Sequence, residues 1–154
     1  MSLPRPFILE LRCPVEMSIL SWIRGVIAQT AAALGLPEED LSKIEMSVDE
    51  ACANVIEHAY PDPPEEALPL TVRVEAMTDA LRIMVCDSGV GAGDLRGAVK
   101  SIEEYVEVKR YRGLGTHIMQ RFMDEVEFVQ SPGEGTRVCM VKYLTPPNAT
   151  VGSA

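Results

Sequence analysis

Hydrophobic and polar residues repeat along this chain with two periods, one typical of strands and one typical of helices. Residues 6–13 carry apolar side chains at every second position, with a partly polar opposite face, and predict a strand. Residues 15–34 carry apolar side chains every three to four positions and predict an amphipathic helix, with Gly35 placed to end it. The apolar stripe of this helix comprises Ile19, Trp22, Ile23, Val26, Ile27, Ala31 and Leu34.

A second amphipathic helix is predicted to open at Pro37. Acidic residues fill its first turn, where the helix dipole favours negative charge. Its predicted buried stripe comprises Leu41, Ile44, Val48, Ala51, Cys52, Val55 and Ala59. Residues 61–69 hold four prolines and therefore predict a loop.

The second half of the chain predicts mostly strands. Strands at 70–77 and 80–87 are separated only by Thr78-Asp79, which indicates a hairpin. A helix fits 116–124, and a last hairpin joins 126–130 to 136–143. The pattern as a whole predicts an α/β two-layer sandwich, a mainly antiparallel sheet packed on about three helices. Residues 1–144 are expected to form a single domain, and 145–154 a disordered tail.

Composition and charge narrow the function classes. The 154 residues suit one domain, and 47% of them are hydrophobic. The net charge of −9 argues against binding to nucleic acid or to an anionic membrane surface. No apolar run reaches the roughly 20 residues that span a bilayer. The four cysteines are scattered in apolar surroundings, which predicts buried free thiols and a cytoplasmic location.

The second helix carries a carboxylate and a carboxamide one turn apart. Glu50 and Asn54 share one helical face, directed away from the apolar stripe, with Glu57 one turn further on. A solvated helix face explains this spacing as well. However, Asn is unfavourable inside a helix, because its side chain competes for backbone hydrogen bonds. The pair would suit a general base beside an oxygen ligand for Mg²⁺.

Three glycine-containing turns follow in the chain. Asp87 ends a strand and is followed by Gly89, Gly91 and Gly93, which fit either a flexible turn or a close backbone approach to a flat ligand. The segment 113–116 leads into a helix and fits either an ordinary N-cap or a phosphate cradle. Gly135-Thr136 opens the last strand, where hairpin chemistry alone explains the glycine.

Two segments that flank the candidate motifs carry net charges of opposite sign. Residues 37–60 hold seven acids and one lysine, a net charge of −6, whereas 96–112 have a net charge of +2. A triphosphate bound between them would need a divalent cation to bridge it to the acidic helix.

The order of these motifs resembles a known superfamily. E-A-x-x-N-x-I-x-H-x-Y at 50–60, D-x-G-x-G at 87–91, G-L-G-T at 113–116 and G-T at 135–136 resemble the four nucleotide-binding boxes of histidine-kinase-like ATPases. Among these the chain is most similar to bacterial anti-sigma-factor serine/threonine kinases. The resemblance covers about 37–144 and implies a Bergerat-type ATP-binding fold.

The resemblance also implies a role for each matching residue. Asp87 would receive the adenine amino group with help from Thr136, Asn54 would ligate Mg²⁺, and Glu50 would be the general base. Gly89 and Gly91 would let the chain pass the base. Gly113, Leu114, Gly115 and Thr116 would cradle the phosphates of ATP. Residues 92–112 would form a lid, with Arg110 and Arg112 as candidate phosphate contacts.

The implied partners are two proteins. A sigma factor would be held inactive, and a small anti-sigma-antagonist protein of the STAS type would be phosphorylated; this family often acts as a homodimer. Two alternatives stay open: a module that binds ATP and a partner without kinase activity, and a regulatory domain that binds no nucleotide. Glu50 favours the kinase, and Asp87 with its glycines favours a nucleotide site.

Overall fold

A single antiparallel sheet forms one layer of the protein. The computed structural model describes residues 3–58, 70–87, 117–131 and 135–144. The strands are β1 (Phe7–Cys13), β2 (Leu70–Ala76), β3 (Ala80–Asp87), β4 (Glu125–Ser131) and β5 (Gly135–Tyr143). They lie in the order β1-β2-β3-β5-β4, and every neighbouring pair is antiparallel.

Helices form the second layer. They are α1 (Leu20–Ala33), preceded by a 3₁₀ turn at Met17–Ile19, then α2 (Glu38–His58), and α3, which is helical at 117–122. Apolar side chains of all three helices share one buried core with one face of the sheet. The predicted α/β sandwich, both hairpins and all three helices are therefore confirmed. The predicted loop at 61–69, Ala59 and the tail at 145–154 lie outside the described residues.

Strict alternation along the strands assigns each side chain to a face. Rows of paired residues such as Val74, Ile83 and Met140 point toward the helices and are fully buried. The opposite face carries ion pairs in a ladder: Arg73 lies 3.6 Å from Glu10 and 2.8 Å from Glu75, and Glu75 lies 3.2 Å from Arg82. One face therefore builds the core, and the other is largely polar.

The end of α1 is set by Gly35, as predicted. Gly35 adopts a φ of 85°, a conformation that L side chains rarely adopt. The amide of Leu36 donates to the carbonyl of Ala31 at 3.2 Å, and that of Gly35 to Ala32 at 3.0 Å. This pair of bonds is a Schellman motif, which satisfies carbonyls that the helix end leaves without partners.

The prediction for Trp22 was wrong. Its side chain is 74% exposed, whereas Ile23 and Ile27 are fully buried. Ile23, Ile27, Ala31 and Leu34 of the predicted stripe are buried, whereas Ile19 and Val26 are only half-buried. The buried stripe is therefore narrower than the predicted one.

The prediction of buried thiols holds for two of the four cysteines. Cys13 and Cys52 are buried, but Cys86 and Cys139 are half-buried because they occupy the outward positions of β3 and β5. Burial raises the pKa of all four thiols; that of Cys52, where Asp49 and Cys13 add to the effect, is raised to about 12.

Alkylation should therefore separate the cysteines into two classes. Because the thiolate is the nucleophile, all four should react slowly with iodoacetamide at pH 7. We expect Cys86 and Cys139 to react first, at rates that rise with pH, and Cys13 and Cys52 to react only after denaturation. Mass-spectrometric mapping of the modified peptides measures this order. Labelling of native Cys52 as fast as Cys139 would contradict it.

Candidate functional site

Helix α2 runs along the sheet, and two contacts fix its direction. Near its start, the Asp40 carboxylate lies 3.5 Å from the Lys142 ammonium at the end of β5. Further along, Cys52 shares the buried core with Cys13 on β1, which adds to the raised pKa of the Cys52 thiol after burial and Asp49. Cys13 pairs with Leu70, and Leu70 pairs with Asp87, so this second contact lies at the opposite end of the strands.

The lengths of these elements agree with this direction. From Asp40 to Asn54 the helix rises about 21 Å, at 1.5 Å per residue. From Lys142 back to Thr136, strand β5 spans about 20 Å. The helix is therefore long enough to reach the end of the sheet where β3 ends, which is also where β5 begins, because Arg137 pairs with Cys86. Helix α2 packs against both β3 and β5.

The sequence-predicted pair, Glu50 and Asn54, lies near this end of α2. Both side chains are half-buried, at the border between the buried stripe and the exposed surface. They are therefore not on a fully solvated helix face. A half-buried carboxylate and a carboxamide one turn apart can face a ligand while keeping contact with water.

Asp87 ends β3 on the side of the sheet that faces the helices. Its side chain is only 4% exposed, in line with Ile83 and Val85, which point into the core. A charged carboxylate is rarely buried without a partner, and Asp87 does have an interaction partner. The predicted base-binding residue thus lies at the same end of the sandwich as Glu50 and Asn54.

Asp49 is an acid of α2 that the sequence motifs do not single out. Its carboxylate accepts a hydrogen bond from Arg24 at 3.1 Å, which ties α1 to α2 beside Glu50. The other oxygen, Oδ1, is buried without a hydrogen-bond partner among the described residues. Burial raises the pKa of Asp49, and Arg24 opposes that shift. An arginine on α1 with an acid on α2 was visible in the sequence, but only the packing of the helices pairs them.

Several predicted site residues lie outside the described part of the chain. They are Gly89, Gly91, Arg110, Arg112, Gly113, Leu114, Gly115 and Thr116. Thr136 is described through its backbone, which pairs with Gln130 in the last hairpin. Glu50 and Asn54 on α2 therefore lie toward the same end of the sandwich as Asp87 and the backbone of Thr136.

A preformed metal centre is absent from the described ranges, which hold no group of three or more His, Cys, Asp or Glu arranged for an ion. Asn54 does offer a hard oxygen donor of the kind that Mg²⁺ prefers. Because Mg²⁺ retains waters and is commonly held by one or two protein oxygens plus substrate phosphates, this small donor set fits it.

Comparisons with known proteins decide the family. Residues 14–142 match the model of the histidine kinase-like ATPase domain. The chain belongs to this family. An anti-sigma F factor from Caldanaerobacter subterraneus subsp. tengcongensis is 35% identical over 124 residues, covering 80% of this chain and 85% of that protein. Serine-protein kinase RsbW from Bacillus pumilus is 32% identical over 142 residues, covering 89% and 86%.

A solved structure shares the fold of this histidine kinase-like ATPase domain. It is the crystal structure of the RsbU and RsbW domains of Rv1364c from Mycobacterium tuberculosis, with a TM-score of 0.63 at 13% identity. The match covers 88% of this chain and 32% of that longer chain. The α/β fold predicted from the resemblance is thus confirmed. Among the described helices, none is long and apolar enough to cross a membrane.

Proposed function

We propose that this protein is a Mg-ATP-dependent serine/threonine kinase that acts as an anti-sigma factor. The observation that carries the proposal is that Glu50 and Asn54, half-buried on α2, lie toward the same end of the sandwich as the buried Asp87. A relative named as a serine-protein kinase, 32% identical over most of both chains, supports the same reaction.

Each of these residues has one task in the proposed reaction. Asp87 accepts a hydrogen bond from the adenine amino group of ATP. Glu50 accepts the proton of a serine or threonine hydroxyl on the partner protein as its oxygen attacks the γ-phosphorus. The bond from the γ-phosphorus to the β,γ-bridging oxygen breaks, ADP leaves, and the partner retains the phosphoryl group. The protein contributes mainly positioning and charge neutralisation, as in other phosphoryl transfers.

Asn54 would hold the magnesium ion, and Gly113, Leu114, Gly115 and Thr116 would bind phosphates. When bound, Mg²⁺ neutralises phosphate charge, which is needed here because α2 and its flanks between 37 and 60 carry a net charge of −6. Arg110 and Arg112 are proposed as further phosphate contacts. Gly89 and Gly91 let the chain pass the base, and Thr136 assists Asp87.

The alternative is a module that binds ATP and a partner without transferring phosphate. A pure binding module has no need of a carboxylate beside the terminal phosphate, where negative charge opposes binding. Glu50, kept half-buried one turn before Asn54, therefore favours the kinase.

The proposed partners are a sigma factor and an anti-sigma antagonist of the STAS type. The relatives named anti-sigma F factor support the first of these. A homodimer and a cytoplasmic location complete the proposal. Exposed apolar side chains such as Trp22 and Met46 provide surface of the kind that protein partners cover.

Calorimetric titration with ATP and ADP, with and without Mg²⁺, tests the nucleotide site first. We expect micromolar binding that strengthens with the metal. Transfer of the terminal phosphate from radiolabelled ATP to a STAS-type partner then separates a kinase from a binding module. Binding without transfer would favour the module, and no binding would reject both.

The Asn54→Ala variant should lose most of the contribution of Mg²⁺ to ATP affinity. Without its oxygen ligand, the ion is held only by phosphates and water, so we expect about tenfold weaker Mg-ATP binding and little change for metal-free ATP. Calorimetry on both forms of ATP measures this, with Ser42→Ala, on an exposed part of the same helix, as the control. Equal losses with and without metal would make Asn54 a packing residue.

A further inference from the structure

Lys142 is a buried cation that the proposed chemistry does not use. It is only 8% exposed and lies on the inward face of β5, in the same alternation as Val138 and Met140. Lysine is almost never buried at such a position unless its charge is paired. Its contacts therefore indicate what it does.

The Lys142 ammonium joins three separate parts of the fold. It donates a hydrogen bond to the carbonyl of Phe122 at 3.1 Å, and it lies 3.5 Å from an oxygen of Asp40 and 3.8 Å from one of Asp124. Phe122 is the last helical residue of α3, Asp40 is in the first turn of α2, and Asp124 precedes β4. One hydrogen bond and two carboxylates at ion-pair distance therefore compensate the buried charge.

These contacts are also favourable for the helices. The carbonyl of Phe122 is one of those that a helix end leaves without an intrahelical partner, and a cation there complements the helix dipole. Asp124 is itself held by the amide of Tyr143, which donates to it at 2.7 Å. Lys142 thus clamps the start of α2 and the end of α3 onto one position of β5.

We propose that Lys142 is a positioning residue for the nucleotide site at the other end of the sandwich. Helix α2 is a rigid element about 21 Å long from Asp40 to Asn54, so a shift at its start is carried to Glu50 and Asn54. Asp87 is on a central strand, paired on one side with Leu70, and keeps its place. This inference rests on the proposed function, because it concerns that site.

Loss of the Lys142 contacts should therefore weaken the metal-dependent part of ATP binding most. We expect Lys142→Met, which keeps an unbranched buried side chain, to weaken Mg-ATP binding about tenfold, since small misplacements of binding groups are costly. Metal-free ATP, held through Asp87, should weaken by less than about threefold. Lys142→Arg should restore much of the loss, because a cation still reaches the same acceptors.

A milder pair of variants keeps the test valid if Lys142→Met does not fold. Asp40→Asn and Glu38→Gln each remove one acid from the first turn of α2, but only Asp40 contacts Lys142. We expect a selective loss of Mg-ATP affinity for Asp40→Asn and none for Glu38→Gln, measured by calorimetry on the full chain.

Three results would overturn the inference. Unchanged Mg-ATP affinity in Lys142→Met and Asp40→Asn would show that the Lys142 contacts do not influence the nucleotide site. Equal losses with and without Mg²⁺ would show general damage to the fold. If the wild-type protein binds no ATP, the proposed function itself fails, and the role of Lys142 fails with it.

Discussion

The Glu50→Gln variant should bind Mg-ATP as the wild-type protein does and transfer its phosphate at least about 100-fold more slowly, within the range that a general base contributes. Glutamine keeps the size of the side chain and its hydrogen-bonding oxygen, so the half-buried position on α2 is filled as before. It does not take up the proton of the attacking hydroxyl. Calorimetry gives the affinity, and single-turnover transfer to the partner gives the rate.

A matched control separates the general-base role of Glu50 from a general effect of negative charge on α2. Glu45 is also half-buried on α2, but it lies five residues earlier and therefore on a different face. Glu45→Gln removes the same charge, and we expect it to leave the transfer rate within about twofold, because exposed or half-exposed charges contribute little at a distance. Undiminished transfer by Glu50→Gln would exclude the general-base role and favour another acceptor for the proton.

The strands and their faces could be predicted from sequence because alternation is a local property. Leu9, Val74 and Ile83 follow a period of two that leaves only one face for the core, so pairing and burial follow together. The same rule correctly puts Asp87 on the inner side of β3. A charged residue at an apolar position was thus already a sign of function in the sequence.

Features that depend on which elements touch could not be predicted in this way. Trp22 fits the helical period as well as Ile23 does, and only the packing of α1 shows that it is exposed. Lys142 also follows the inward alternation of β5, which could have singled it out as a buried cation. Its partners, however, come from positions 40, 122 and 124, and the fold alone brings these together.

The candidate site could be predicted only in part, for the same reason. Glu50 and Asn54 share a helix, so their spacing alone puts them on one face. That they lie toward the same end of the sandwich as Asp87, more than 30 positions away in the chain, depends on the direction of α2 across the sheet. The contact of Asp40 with Lys142 and the nearness of Cys52 to Cys13 supply that direction.

The second large effect is expected from Asp87→Asn, which should weaken ATP binding about 10- to 100-fold, with or without Mg²⁺. A buried carboxylate accepts strong hydrogen bonds from the adenine amino group and from an assisting hydroxyl or water. Asparagine has one acceptor oxygen instead of two and presents an NH₂ group that finds no acceptor on the amino group of the base. Because Asp87 is only 4% exposed, water does not replace the lost bonds.

Selectivity among bases distinguishes this role from a structural one. A site built around an acceptor for an amino group should reject GTP, whose base presents a carbonyl at the same position, and Asp87→Asn should lose much of that discrimination. Calorimetry with ATP and GTP measures the ratio, with Asp79→Asn in the exposed turn at the other end of β3 as the control. Unchanged ATP affinity would refute the adenine contact. A loss in which the ratio of ATP to GTP affinity stays constant would instead assign Asp87 to holding the end of β3, because a strand end without base contacts has no means of telling the two nucleotides apart.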